Sequence, residues 1–520
     1  MYSWIIKNVN LIDGTGSKAV LSDIAIEQDK IVAVGNNIGA SSAKNIVDGK
    51  GLTLAPGFID VQNHSDSYWQ IFDNPGLESI ITQGYTTLLL GNSGTSLAPL
   101  ISPESLRSVQ KWKPTTGLNV NWQTFWEYKQ QLQQLHFSAN LLSLVGYSTV
   151  RRGLLGDSMQ APDKAELESI ISIVEQSLQE GASGVSLGLF YSHEINVTDV
   201  EIIALAELCA KHNKLLSVAL RNESDKVVDS VQNLVAIAEQ TGVKLKIAHL
   251  KVRYQPNWPL LKDVLDIIEA AWHKGTKIYF DSYPYTYTLQ PLYTYLPSWS
   301  LVGGRGHLLD KISDPELKTK IVSELRNHPT KLSALTVAST NNNLKVNGRT
   351  ISVIASDMQV TSEEAILNLI SNGGVSTLVF DKCLDEQSVN ILNDHSLGMI
   401  ATNGGGYGLE HGSQLVHPRS FGTSSKFLRR IIDGQTISLE EAIAKLTSRP
   451  AELLGLSNRG IIKTGNVADL VLFDPVKINS NATIQNPYQY SEGIEAVWVA
   501  GELAVNKGRF TETMAGKFIE

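Results

Sequence analysis

The chain has 520 residues, 42% apolar and 18% charged, which allows a large core and excludes global disorder. A net charge of −8 without a Lys/Arg run argues against a nucleic-acid partner, and two isolated cysteines, Cys209 and Cys383, exclude a disulfide scaffold or thiolate zinc module. Neither a signal peptide nor an apolar run long enough for a membrane span is read, so a soluble, cytoplasmic protein with no membrane partner is expected.

Residues 1–56 read as β: Trp4 to Asp13, Asp23 to Gly35, then Leu52 to Ala55, with turns such as Asp13-Gly14-Thr15-Gly16. Eight apolar strand-like runs follow, at Phe58–His64, Thr86–Asn92, Asn140–Gly146, Gly184–Leu189, Leu215–Leu220, Lys244–Leu250, Lys277–Tyr283 and Gly398–Gly404. Amphipathic helices lie between them. Asp163-Lys164-Ala165-Glu166 reads as a capping box, followed by Leu167, Ile170, Ile171, Val174 and Leu178 on one face. A ninth apolar run, Val375–Phe380, and an irregular stretch from about 290 to 350 read as an insertion near the barrel mouth. Ala468 to Phe473 and Gly493 to Phe510 read as β again.

The alternation predicts an α/β fold: a (β/α)₈ TIM-like barrel with a small β-sandwich formed from both termini. The expected bounds are 1–56 plus 458–520 for the sandwich and 57–457 for the barrel with its insertion around 290–350.

Chemistry in such barrels sits at the C-terminal ends of the strands. Those ends carry Gln62-Asn63-His64-Ser65-Asp66, Asn92-Ser93-Gly94, Gly146-Tyr147, Phe190-Tyr191, Ala219-Leu220-Arg221-Asn222-Glu223, His249-Leu250-Lys251, Asp281-Ser282-Tyr283 and Thr402-Asn403. Polar, aromatic and ionisable side chains gather there, as a pocket requires. Only His64 and His249 stand out as metal donors, on opposite strands.

Further segments carry a resemblance. They are Ala55-Pro56-Gly57-Phe58-Ile59-Asp60, Gly91-Asn92-Ser93-Gly94-Thr95-Ser96-Leu97-Ala98-Pro99-Leu100, Pro256-Asn257-Trp258, Tyr283-Pro284-Tyr285, His417-Pro418-Arg419-Ser420-Phe421-Gly422-Thr423 and Ala468-Asp469-Leu470-Val471-Leu472-Phe473-Asp474-Pro475. In this collinear order the chain resembles the N-acyl-D-amino-acid deacylases (D-aminoacylases) of the amidohydrolase superfamily along nearly its whole length. The resemblance implies a zinc-dependent hydrolase of non-peptide C–N amide bonds.

Residue by residue, the family's first-strand His-x-His corresponds to Gln62 and His64, its bridging cysteine to Ser93, and its strand-five histidine to Ala219. The strand-six histidine remains as His249, the catalytic aspartate corresponds to Asn403, and a further histidine to Tyr147. Tyr147 apart, four of the six expected metal-site residues, Gln62, Ser93, Ala219 and Asn403, are therefore replaced, and His64 and His249 remain. The resemblance also assigns Lys251, Tyr283 and Arg419 to the substrate carboxylate, with Tyr191 beside them at the mouth.

Ala219 offers no donor, and Gln62 and Asn403 offer neutral amide oxygens, poor zinc ligands. Asn403 also cannot accept a proton as a general base. The zinc site is thus incomplete, and no cofactor is expected. Three readings follow. The first is an impaired or inactive zinc hydrolase that keeps a pocket for a small carboxylate or N-acyl amino acid. The second is a repurposed enzyme, using His249, Lys251 and Tyr283 in metal-free acid–base chemistry or an altered metal set. The third is a slow but authentic deacylase. Structurally, His64 and His249 also read as core histidines, Arg419 and Lys251 as neutralising Glu223 and Asp66, and His193 and His411 as solvated loop residues.

Overall fold

The computed structural model describes the chain except residues 40–42, 113–119, 192, 341–343 and 410–413, so His411 lies outside the described residues. Both termini contribute to one continuous nine-stranded sheet. Its N-terminal strands are Tyr2–Leu11, Val20–Glu27, Lys30–Gly35, Ala43–Asp48 and Thr53–Pro56, and its C-terminal strands are Leu470–Phe473, Ile494–Val499, Glu502–Asn506 and Arg509–Phe510. The halves join where Thr53–Pro56 runs antiparallel to Leu470–Phe473. Ile6, Ile24, Leu54, Leu470 and Trp498 form the core beneath the join. The run read as Asp23 to Gly35 is a hairpin, Val20–Glu27 paired with Lys30–Gly35. Its turn passes through Gln28 at φ 54°, a left-handed conformation that no glycine announces.

Eight parallel strands form the barrel: Phe58–Asp60, Tyr85–Leu90, Asn140–Ser143 continued by Val145–Gly146, Gly184–Gly188, Leu215–Ala219, Lys244–Ile247, Ile278–Ser282 and Gly398–Ile400. The third strand breaks at Leu144, pairing with strand two before the break and strand four after it. Closure between strands eight and one falls just beyond the regular ladders. Asn403 N donates to Gln62 O (2.7 Å) and His64 N to Gly404 O (2.8 Å). Asp60 fastens the same seam, accepting from Thr402 N (3.0 Å) and Thr402 Oγ1 (2.5 Å). The residues of interest are therefore placed by the act of closing the barrel.

The helix Lys164–Gln179 starts at the expected capping box and buries Ile170, Val174 and Leu178. The insertion is neither irregular nor confined to 290–350. It runs from Thr288 to Asp381 around a three-stranded antiparallel sheet, with Leu378–Asp381 between Thr288–Pro291 and Thr336–Ser339. Helices Gly304–Ser313, Pro315–Arg326, Ile351–Met358 and Ser362–Gly373 surround this sheet. Leu292, Ile321, Val337, Ile351, Ile366 and Val379 give it a core of its own. Among the described residues, no helix is long and apolar enough to cross a membrane.

Candidate functional site

The strand-end turns bring the expected residues together, and they do so under backbone strain. Ser93, His249 and Asn403 sit at φ 53°, 40° and 46°. Left-handed backbone at a serine or histidine costs on the order of 1–3 kcal/mol and clusters where side-chain direction matters. Before Ser93, Gly91 at φ 71° is obligatory, since a Cβ there would lie 2.1 Å from Leu144 O.

Gln62 faces inward and is held at both ends. Its Nε2 donates to Ser93 Oγ (3.1 Å), while its Oε1 accepts from Lys246 Nζ (2.8 Å). Ala219 is buried at the end of strand five and contributes no polar atom. His64 Nε2 donates to Asn403 Oδ1 (2.8 Å), so its bare nitrogen is Nδ1, which is buried without a partner. The rings of Tyr68 and Trp112 pack 5.6 and 5.8 Å from His64. Both rings also line a cavity of about 1200 Å³ at the mouth, whose walls include Leu289, Leu378 and Tyr407.

On the opposite side, Lys251 Nζ donates to Glu223 Oε1 (2.6 Å), His249 Nδ1 (2.8 Å) and His249 O (2.8 Å). With Nδ1 accepting, a neutral His249 carries its proton on Nε2. Burial would raise the Glu223 carboxyl, but the Lys251 ammonium, helped by the Arg253 guanidinium, brings it down to about 2. Burial pushes His64 well below the usual imidazole range, and the Arg419 guanidinium adds to that. His249 is lowered by burial first and then by Lys251. Both rings are neutral.

Arg419 behaves differently. It is buried, its Nε donates to Asn403 O (2.7 Å), and its guanidinium lies 4.8 Å over the Tyr283 ring. Among the described residues no carboxylate lies within ion-pair distance of it, and the Tyr283 hydroxyl beside it is buried without a partner. Burial raises the Tyr283 hydroxyl above its ordinary range, so it acts as a donor rather than a proton source. Of the carboxylates that the sequence offered as partners, Arg419 pairs with neither Glu223 nor Asp66; Asp66 instead accepts from Gly91 N (2.8 Å). The alternative pairing of Lys251 with Glu223 does form, which leaves its ammonium no free donor for a ligand.

Tyr191 packs its ring 5.6 Å from Trp112, with Lys111 Nζ 3.7 Å over it. Tyr147 turns away into the wall, where its hydroxyl donates to Glu201. His193, read as solvated, is buried, because the loop after strand four folds back over the barrel. Sequence reasoning missed Lys246 and Lys111. Lys246 had a signal: a lysine at an inward position of the short strand Lys244-Leu245-Lys246-Ile247. Lys111, whose Nζ donates to Ser93 O (3.2 Å), lies in a 3₁₀ segment with no such pattern. Among the described residues, no group of three or more His, Cys, Asp or Glu is arranged to hold a metal ion.

The profile of the Amidohydrolase family matches residues 414–505. The chain is 29% identical over 500 residues to an N-acyl-D-aspartate deacylase of Alcaligenes xylosoxydans xylosoxydans, covering 96% of this chain and 91% of that one. It is 28% identical over 513 residues to a D-aminoacylase of the same organism, covering 98% and 96%. Among solved structures, it is similar to an N-acyl-D-glutamate deacylase from Bordetella bronchiseptica complexed with zinc and a phosphonate mimic of the tetrahedral intermediate. The TM-score is 0.83 at 25% identity, over 99% of each chain. A crystal structure of D-aminoacylase superposes with a TM-score of 0.82 at 26% identity, over 100% and 99% of the two chains.

Proposed function

We propose that the chain is a member of the N-acyl-D-amino-acid deacylase (D-aminoacylase) family of amidohydrolases whose barrel binds a small carboxylate of the N-acyl amino acid class without working as a zinc hydrolase. The observation that carries the reading is Arg419, a buried guanidinium without a carboxylate partner among the described residues, beside an unpartnered Tyr283 hydroxyl. A buried charge needs a partner, and a ligand carboxylate supplies one through charge-assisted hydrogen bonds. Tyr283 adds a neutral donor, and Tyr191 and Trp112 add apolar wall. Lys251 supports the site indirectly, by fixing Glu223 and His249.

The residues at the family's metal positions do not fit zinc. Ser93, Gln62 and Asn403 offer a hydroxyl and two amides, Ala219 offers nothing, and one nitrogen of each imidazole is already engaged, His64 Nε2 by Asn403 and His249 Nδ1 by Lys251. A water held there keeps its ordinary pKa, and neither Asn403 nor the charged Lys251 takes a proton from it. Calorimetric screening of N-acyl amino acids of both chiralities and of free carboxylates tests the reading. Micromolar-range binding of a carboxylate, lost on esterification, is the expected result. Absence of binding by every carboxylate overturns it.

A further inference from the structure

An ammonium at the centre of a barrel is costly unless its charge and all three donors are satisfied. Lys246, wholly buried on strand six, has its charge paired on strand seven beside it and two of its donors taken up on strand one across the barrel. Its Nζ reaches Val61 O (2.6 Å) and Gln62 Oε1 (2.8 Å) on the strand-one side, and Asp281 Oδ2 (3.1 Å) on strand seven. Gln62 passes the connection to strand two through Ser93 Oγ (3.1 Å), and the other oxygen of Asp281 accepts from His249 N (3.0 Å). Two of the replaced metal positions, Gln62 and Ser93, and the surviving His249 are therefore tied into one chain with a lysine at its centre.

We propose that Lys246 is a built-in cation that takes over the charge of the family's metal, orders Gln62 against Ser93, and excludes a second cation from the site. This rests on the reading that the barrel does not work through zinc, and adds the residue responsible. An amide oxygen suits the position facing the ammonium because it accepts and carries no charge. A histidine at 62 would present the same ammonium with an imidazole and, behind it, a dication. Like charges so placed oppose metal binding whatever ligands are restored.

The experiment uses zinc alone as probe, in competition with a chromophoric chelator. One protein carries Gln62→His, Ser93→Cys, Ala219→His and Asn403→Asp; a second adds Lys246→Gln. A third adds Lys246→Met with Asp281→Asn, which removes the ion pair together and leaves no lone buried charge. Zinc is expected to bind the second and third at one per chain and at least 100-fold more tightly than the first. Affinities within threefold of one another in all folded variants overturn the role of Lys246 while leaving the non-zinc reading intact. Tight stoichiometric zinc in the wild-type protein, with Lys246 in place, overturns both.

Discussion

The two halves of this barrel mouth treat buried positive charge in opposite ways. On the inner side, Lys246 and Lys251 each have a carboxylate at ion-pair distance, Asp281 and Glu223, and their remaining donors reach backbone or side-chain acceptors. On the outer side, the Arg419 guanidinium meets a main-chain oxygen, the Tyr68 hydroxyl and the Tyr283 ring, and no carboxylate among the described residues. A closed network stabilises a shape, whereas an open charge recruits something from outside. On our proposal, the contrast separates residues that hold the pocket from the residue that reads its ligand.

The largest effect belongs to the closed side. Lys246→Met strands the Asp281 carboxylate in the barrel and should cost about 3–5 kcal/mol in urea unfolding, as breaking buried pairs does. Adding Asp281→Asn should recover most of the loss; an equal loss in single and double variants would break the comparison. Next comes acid. Glu223 is held at about 2 in the fold against an ordinary 4.5, so its contribution is fully present above pH 4.5 and is lost as pH falls toward 2. The shift corresponds to roughly 3 kcal/mol. Glu223→Gln should flatten that part of the stability profile relative to wild type, and parallel profiles would contradict the pairing.

The open side should respond in affinity rather than stability. Arg419→Ala removes a charge-assisted contact of about 1.5–3 kcal/mol and should weaken carboxylate binding roughly 10- to 100-fold. Its thermal midpoint should move less than that of Lys246→Met, because a main-chain hydrogen bond and packing are lost but no ion pair is broken. A large stability loss with unchanged affinity would place Arg419 with the structural cations. Tyr283→Phe is the smallest change. Loss of one neutral donor predicts roughly three- to tenfold weaker binding, with no stability loss, since the hydroxyl is unpartnered in the free protein.

The division also explains what could be read from sequence. All eight barrel strands were legible, because a strand buried on both faces is a continuous apolar run, and each run fell on a barrel strand. The insertion was legible in place but not in its fold, because its core joins Leu292 to Ile366 and Val379 across short, separated pieces without a long periodic signal. The identities at 62, 93, 219 and 403 followed from the resemblance. Their pairing did not: the bond from Lys246 to Gln62 spans 184 residues, and nothing local announces it. Lys251 shows the same limit. A lysine two residues past a histidine suits a ligand clamp or an internal pair equally, and only Glu223, brought from strand five, decides for the pair.

On our proposal the chain keeps the carboxylate end of a pocket similar to that of the D-aminoacylases and has an internally paired metal end. Elemental analysis of the purified wild-type protein, after dialysis against a mild chelator, tests that most directly. The account predicts far less than one zinc per chain, in a folded protein that still binds an N-acyl amino acid. Stoichiometric zinc or nickel surviving that dialysis would contradict it.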